Sequence, residues 1–269
     1  MMKLKVLSPS SINLYKQCPR KYFYQYILKL PTKPSIHLVR GSAVHTALEK
    51  FFEINPDSLS TENYPFEMKT MILDFFGQDW QKRKGELAKL DMGLHDQIFY
   101  YNESKKMLAN WCDEFVEKLQ GQITKRGSFS AAFKYLAPVT EKRYVSTTDS
   151  VQGFIDAIHH YDDGVHILDY KTSKKDAMTP AYKLQLAIYA LLYQIEHGVM
   201  PKAVGIHFLK FGEKYLEVDQ LFIDYAREEI KKVHESIKST EIGDYKKHIT
   251  GLCKWSTGQC DFYERCIKE

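Results

Sequence analysis

Apolar positions recur every three to four residues through most of the first 137 residues and every second residue soon after, so the chain passes from helical to strand character. In the first regime Ser8 and Pro9 supply a helix start, Ser8 as cap and Pro9 at the first helical position. That helix is expected to run to about residue 17, where Pro19 interrupts it and a second helix, rich in Tyr and Phe, begins. Cys18 therefore lies at a junction between helices. Past a loop between Pro31 and Pro34, a helix is expected over about 40–53, with Val44, Ala47, Leu48 and Phe51 as its apolar stripe. His45 and Glu49 lie one turn apart on the neighbouring stripe. Helical patterns at about 61–86 and 95–120 are expected to pack as a pair, with Cys112, between Trp111 and Phe115, a buried and inert thiol.

The second regime begins near Ala137. Residues 139–146 form an expected strand holding Glu141, 147–150 a turn, and 151–171 a β-hairpin whose two apolar-rich runs are joined by Asp162-Asp163-Gly164. Two registers are open: a loop of Asp163-Gly164 sets Asp156 opposite Lys171, and a loop of Asp162-Asp163 sets it opposite Asp169. In both, period-two alternation puts Asp156, Asp169 and Lys171 on one face of the sheet. Thr179-Pro180 then starts a helix over about 181–197, with Leu184, Ile188, Leu191 and Ile195 as its core stripe. Gln185 and Tyr189 lie one turn apart, rotated about 100° from that stripe, where they can face a substrate. A hairpin around Gly212, from 204–211 and 215–218, and a helix over 221–239 follow.

Two carboxylates and an ammonium on one face outline a divalent-metal site. An isolated D-x-K triplet is most often solvated strand surface, but these strands are too apolar to leave both faces in water, and charges on them need partners. His45, taken alone, is an ordinary hydrogen-bonded histidine. Tyr15, Tyr22, Phe23 and Tyr26, at helical spacing, are core and boundary residues rather than a base-stacking surface beside Arg20 and Lys21.

A length of 269 residues, 44% hydrophobic and 27% charged, suits a soluble globular chain. No run approaches a membrane span, and the first residues lack the apolar core of a secretion signal, so a cytoplasmic location is expected. The net charge of +4 is compatible with a polyanionic partner without requiring one. There is no Walker A sequence or dinucleotide glycine pattern, which argues against an ATP-driven motor. Of five cysteines, Cys253, Cys260 and Cys266 crowd into the last seventeen residues, and in a reducing compartment that asks for an explanation other than disulfides.

Taken in order, Cys18-Pro19-Arg20 with its aromatics, Gly41 to His45, Glu141, Gly153-Phe154-Ile155-Asp156, Asp169-Tyr170-Lys171, Gln185 with Tyr189, and the terminal cysteines resemble one family. It is the RecB-like branch of the PD-(D/E)XK nucleases, which includes the AddB nuclease domain and CRISPR-associated spacer-processing nucleases. The resemblance implies an α/β protein with a restriction-endonuclease-like core, a mixed central sheet flanked by helices. It implies one domain: a mainly helical portion at 1–137, the catalytic sheet and helices at 138–239, and a cysteine-rich tail at 240–269 joined to Cys18.

By the same resemblance, His45, Asp156, Asp169 and the Tyr170 carbonyl are metal ligands, Lys171 positions the attacking water, and Glu141 supports the site. Carboxylates suit Mg²⁺, and one imidazole makes Mn²⁺ an alternative. Gln185, Tyr189 and Arg20 are the expected DNA contacts. The implied activity is hydrolysis of DNA, exonucleolytic on single-stranded ends, alone or as a subunit of a helicase–nuclease or CRISPR spacer-acquisition assembly. A non-catalytic DNA-binding or scaffold role is the alternative of another class, and the intact charged set argues against it.

Cys18, Cys253, Cys260 and Cys266 match the family's [4Fe–4S] ligands, usually closing with C-x2-C-x5-C. Here Cys260 and Cys266 keep the x5 gap, but six residues separate Cys253 from Cys260, and Thr257 stands where a cysteine is expected. That departure leaves structural Zn²⁺ open as the alternative.

Overall fold

The computed structural model describes residues 5–237, 239–255 and 258–269. Ser8 caps the first helix, α1 (Pro9–Gln17), by accepting from the backbone N–H of Ser11. Cys18 is extended and serves two helices, closing α1 and opening α2 (Pro19–Tyr22), which runs into a π-helical turn at Phe23–Ile27. The nearby aromatics are packed together: Tyr22 and Phe23 are buried, and Tyr22 stacks on Tyr26 at 5.0 Å.

The helix carrying His45, α3 (Ile36–Phe52), starts four residues before the expected Arg40, because the Ser35 side chain caps it through Leu38 N–H. Next come α4 (Tyr64–Lys82), the short α5 (Lys84–Leu87) and α6 (Leu94–Arg126), which ends at Gly127 with φ 78°. The expected pairing of α4 and α6 is present, with Phe76 stacked on Tyr101 at 5.3 Å and Lys69 paired with Asp113. Cys112 is fully buried on α6, and burial pushes its thiol up to about 12, so it is inert. A further helix, α7 (Phe129–Leu136), capped by Ser128, closes the helical portion.

The sheet has the order β1-β2-β3-β4-β5, from β1 (Val139–Ser146), β2 (Val151–Tyr161), β3 (Gly164–Lys171), β4 (Ala203–Phe208) and β5 (Gly212–Glu217). All neighbours are antiparallel except β3 and β4, whose parallel pairing requires the crossover helix α8 (Pro180–His197). After α9 (Gln220–Ser236) come the paired dipeptides β6 (Lys254–Trp255) and β7 (Gly258–Gln259) and the last helix, α10 (Tyr263–Lys268). Among the described residues no helix is long and apolar enough to cross a membrane.

The sheet separates two cores. Ile167, Val204, Ile206 and Phe208 face α8 and α9, while Leu168 and Tyr170 face α3, α6 and α7. Strands covered on both sides read as continuous apolar runs, as β4 does. Gly153 lets α8 lie close against β2, since a Cβ there would stand 3.1 Å from both Tyr189 and Leu192. On α8, Leu184, Ile188 and Leu191 are buried as expected, but Ile195 is 40% exposed because the helix emerges from the core beyond Tyr193.

Candidate active site

The hairpin's register is the one with an Asp162-Asp163 loop: Tyr161 pairs with Gly164 and Ala157 with Leu168. Pairing stops there. Beyond Ala157 the two strands part, and the Tyr170 N–H, lacking a ladder partner, donates to the Asp156 carboxylate at 2.9 Å. Leu7 enters the fork from the N-terminal side, exchanging backbone hydrogen bonds with Ser150 and Gln152 at 2.9 and 2.8 Å. A carboxylate at a fork is held by the backbone yet keeps its other oxygen available.

On the other side of β2, the pairing with β1 skips Glu141 and Asp156, and Glu141 has φ 49°. A non-glycine residue in that region carries local strain, which clusters at functional sites. Period-two alternation also fails at this point, since Ile155 and Ile158, three apart, both lie in the core facing α8.

Three elements converge on the fork. From α3, His45 brings Nδ1 to 3.4 Å from Asp156 and 3.8 Å from Glu141, while Nε2 lies 3.0 Å from the Tyr170 carbonyl. His45, Glu141 and Asp156 offer ligand atoms all within 4.8 Å of one another. From β3, Asp169 is 1% exposed, and the Lys171 ammonium lies 2.5 Å from its Oδ2. From α8, the Gln185 amide donates to Asp169 Oδ1 at 2.8 Å and to the Tyr189 hydroxyl at 2.9 Å.

The electrostatics follow from burying this many charges together. Burial pushes the Asp169 carboxyl up to about 6, against the pull of Lys171. Burial also opposes ionisation of Asp156, but His45 and Lys171 outweigh it and hold that carboxyl below its ordinary value. For His45 burial disfavours the cation, and Asp156 and Glu141 outweigh it, raising the imidazole to about 10. Asp169 Oδ2 is buried against the Lys171 ammonium. A buried carboxylate beside an oxygen-rich set with one imidazole fits a hard divalent cation.

Not every expected contact reaches the site. Tyr189 is 5% exposed and packs against Gly153, and it is linked to the centre through Gln185. Arg20 is 8% exposed and donates Nε to the Tyr245 carbonyl at 2.8 Å, tying the first helices to the C-terminal part instead of facing outward. Arg40, which the sequence marks only as a helix start, is 2% exposed, donates to the Thr172 carbonyl at 2.6 Å just past Lys171, and pairs with Glu103. Its signal in the sequence is a charged residue on the otherwise apolar buried side of the helix.

Elsewhere, Cys18, Cys253, Cys260 and Cys266 line one cavity of about 330 Å³ together with Tyr24, Phe262 and Lys247. The Cys260 N–H donates to the Cys253 carbonyl at 2.9 Å, closing the longer loop between them. Thr257 lies outside the described residues. Burial, then the neighbouring Cys18 and Cys260, push the Cys266 thiol up. Among the described residues no three of these thiols come within 4.8 Å of one another.

A mixed five-stranded sheet carries a forked hairpin that gathers Asp156, Asp169 and Lys171, and a preceding helix delivers His45 to it. The sequence matches the profile of the PD-(D/E)XK nuclease superfamily over residues 6–267, and the chain belongs to that superfamily. It is 26% identical over 214 residues to the Gene 69 protein of Mycobacterium phage D29, covering 77% of this chain and 76% of the phage protein. It is also 26% identical over 256 residues to one of the subunits of the ATP-dependent helicase/deoxyribonuclease of Clostridium botulinum, covering 84% of this chain but 21% of that protein. A candidate exonuclease from Eubacterium rectale shares the fold at a TM-score of 0.51 and 12% identity, over 93% of this chain and 86% of its own.

Proposed function

We propose that the protein is a Mg²⁺- or Mn²⁺-dependent deoxyribonuclease that hydrolyses DNA from single-stranded ends. The observation that carries this is the set of three ligand atoms within 4.8 Å at the fork, with the Asp169–Lys171 pair beside it. His45, Asp156, Asp169 and the Tyr170 carbonyl would hold the metal, and Glu141 would assist. Bound there, a divalent ion lowers the pKa of water and neutralises charge on the scissile phosphate. Lys171, held by Asp169, orients the attacking water and stabilises the developing negative charge. Gln185 fixes the carboxylate's orientation by donating to one of its oxygens.

Incubation of end-labelled single- and double-stranded DNA with Mn²⁺, with Mg²⁺ and with chelator tests this. Metal-dependent release of short products from single-stranded ends is expected, and intact substrate under every condition refutes it. The likeness to part of a helicase/deoxyribonuclease subunit supports a second setting, in which this unit works beside a partner motor.

For the four cysteines we favour a [4Fe–4S] cluster over zinc. One tetrahedral zinc with bonds of about 2.3 Å draws its sulfurs to about 3.8 Å from one another. The four thiols line one cavity of about 330 Å³, which leaves room for a group larger than a single ion. Anaerobically purified protein is expected to be brown, with about four irons per chain; colourless protein with one zinc overturns the assignment.

A further inference from the structure

A groove of about 700 Å³ opens where α6 faces the turn after β4. Along its α6 wall Asn102, Lys106 and Asn110 are exposed and succeed one another by one turn. Phe99 on this wall and Phe211 on the other are 53% and 52% exposed. Phenyl rings held in water are unfavourable surface, and here they flank a lysine and two amides. That combination supplies stacking for bases, a cation for phosphate and hydrogen bonds for base or sugar edges.

The groove is joined to the catalytic strand. Leu209, where its second wall begins, donates its N–H to the Lys171 carbonyl at 3.0 Å. Arg40 holds the next carbonyl, Thr172, and pairs with Glu103 of the groove, which in turn holds Lys210 at 2.5 Å. The wall and the exit of β3 are therefore one hydrogen-bonded unit. The nine residues of α6 from Asn102 to Asn110 span about 12 Å, room for roughly three stacked nucleotides at about 3.4 Å each.

We propose that this groove is a track for unpaired DNA leading to the catalytic strand, with Phe99 and Phe211 stacking on bases and Lys106 meeting the phosphates. The inference rests on the nuclease reading for its chemistry and adds what selects single strands. Bases inside a duplex are already stacked and paired, so they have no face to offer these rings.

The test measures affinity of the full chain, in chelator, for a fluorescein-labelled oligothymidylate and for an abasic oligomer of equal length. The double variant Phe99→Ala/Phe211→Ala is expected to bind oligothymidylate about tenfold more weakly, while the abasic oligomer binds variant and parent alike. Lys106→Ala is expected to weaken both oligomers and reduce the salt slope by about one. Unchanged affinity of the double variant for oligothymidylate overturns the track. Cleavage of the same oligomer by the parent with Mn²⁺ is scored separately. Cleavage without a stacking effect leaves the nuclease reading and removes the track, and a stacking effect without cleavage does the reverse.

Discussion

At the residue scale the site depends on how few partners each buried charge has. Asp169 has Lys171 on one oxygen and Gln185 on the other, with no water-exposed surface to spare. Asp169→Asn preserves shape but removes the negative charge proposed to hold the metal, so cleavage of single-stranded DNA is expected to fall by more than about 100-fold with an unchanged circular dichroism spectrum. Full activity in that variant removes Asp169 from the site. Gln185→Ala leaves the Asp169 carboxylate in place but frees it to rotate. About tenfold slower cleavage and a higher Mn²⁺ requirement are expected, read from a metal titration.

At the element scale, the far end of the hairpin carries a pH dependence of its own. His159 on β2 sits against the Leu136 carbonyl at the end of α7 and the Tyr161 hydroxyl, and burial holds its imidazole down at about 4. An unfolded histidine takes its proton near pH 6.5. The unfolded state therefore binds more protons than the folded one between those values. His159's contribution is present in full above about pH 6.5 and is lost as pH falls toward 4, roughly 3 kcal/mol across the window. Urea denaturation at pH 7 and pH 4.5 should show this loss in the parent and much less of it in His159→Phe. A second element-scale constraint is β4 against β5, where a Cβ on Gly205 would stand 2.8 Å from the Lys214 carbonyl and 2.6 Å from the Tyr215 ring. Backbone cannot yield as a side chain can, so Gly205→Ala is expected to cost about 1–3 kcal/mol in the same denaturation assay.

At the scale of the whole molecule, the segment around α2 meets the C-terminal part. Arg20 on α2 reaches the Tyr245 carbonyl, the Tyr24 hydroxyl donates to Glu269, and Cys18 shares a cavity with the three terminal cysteines. Arg20→Ala removes a buried charged hydrogen bond and is expected to lower stability by about 2 kcal/mol, measured by thermal melting. Much of this architecture is legible in the sequence because its signals are local. The Ser8-Pro9 and Thr179-Pro180 helix starts, the strand-forming runs of β1 to β3 and the Asp-x-Lys strand are fixed by residues within one or two turns of each other. Periodicity alone leaves two hairpin registers open, one pairing Asp156 with Lys171 and one with Asp169. It gives no sign that the strands fork at Asp156, that Glu141 takes a left-handed conformation, that Arg20 and Tyr189 turn inward, or that Arg40 braces Thr172. Those outcomes depend on which buried polar groups find partners across 100 or more residues of chain, as Arg40 with Thr172 and His45 with Tyr170 do. The sequence by itself determined the elements and the kinds of charged group the site would contain. Only tertiary packing decided their distances and burial, because satisfying those groups depends on the whole fold at once.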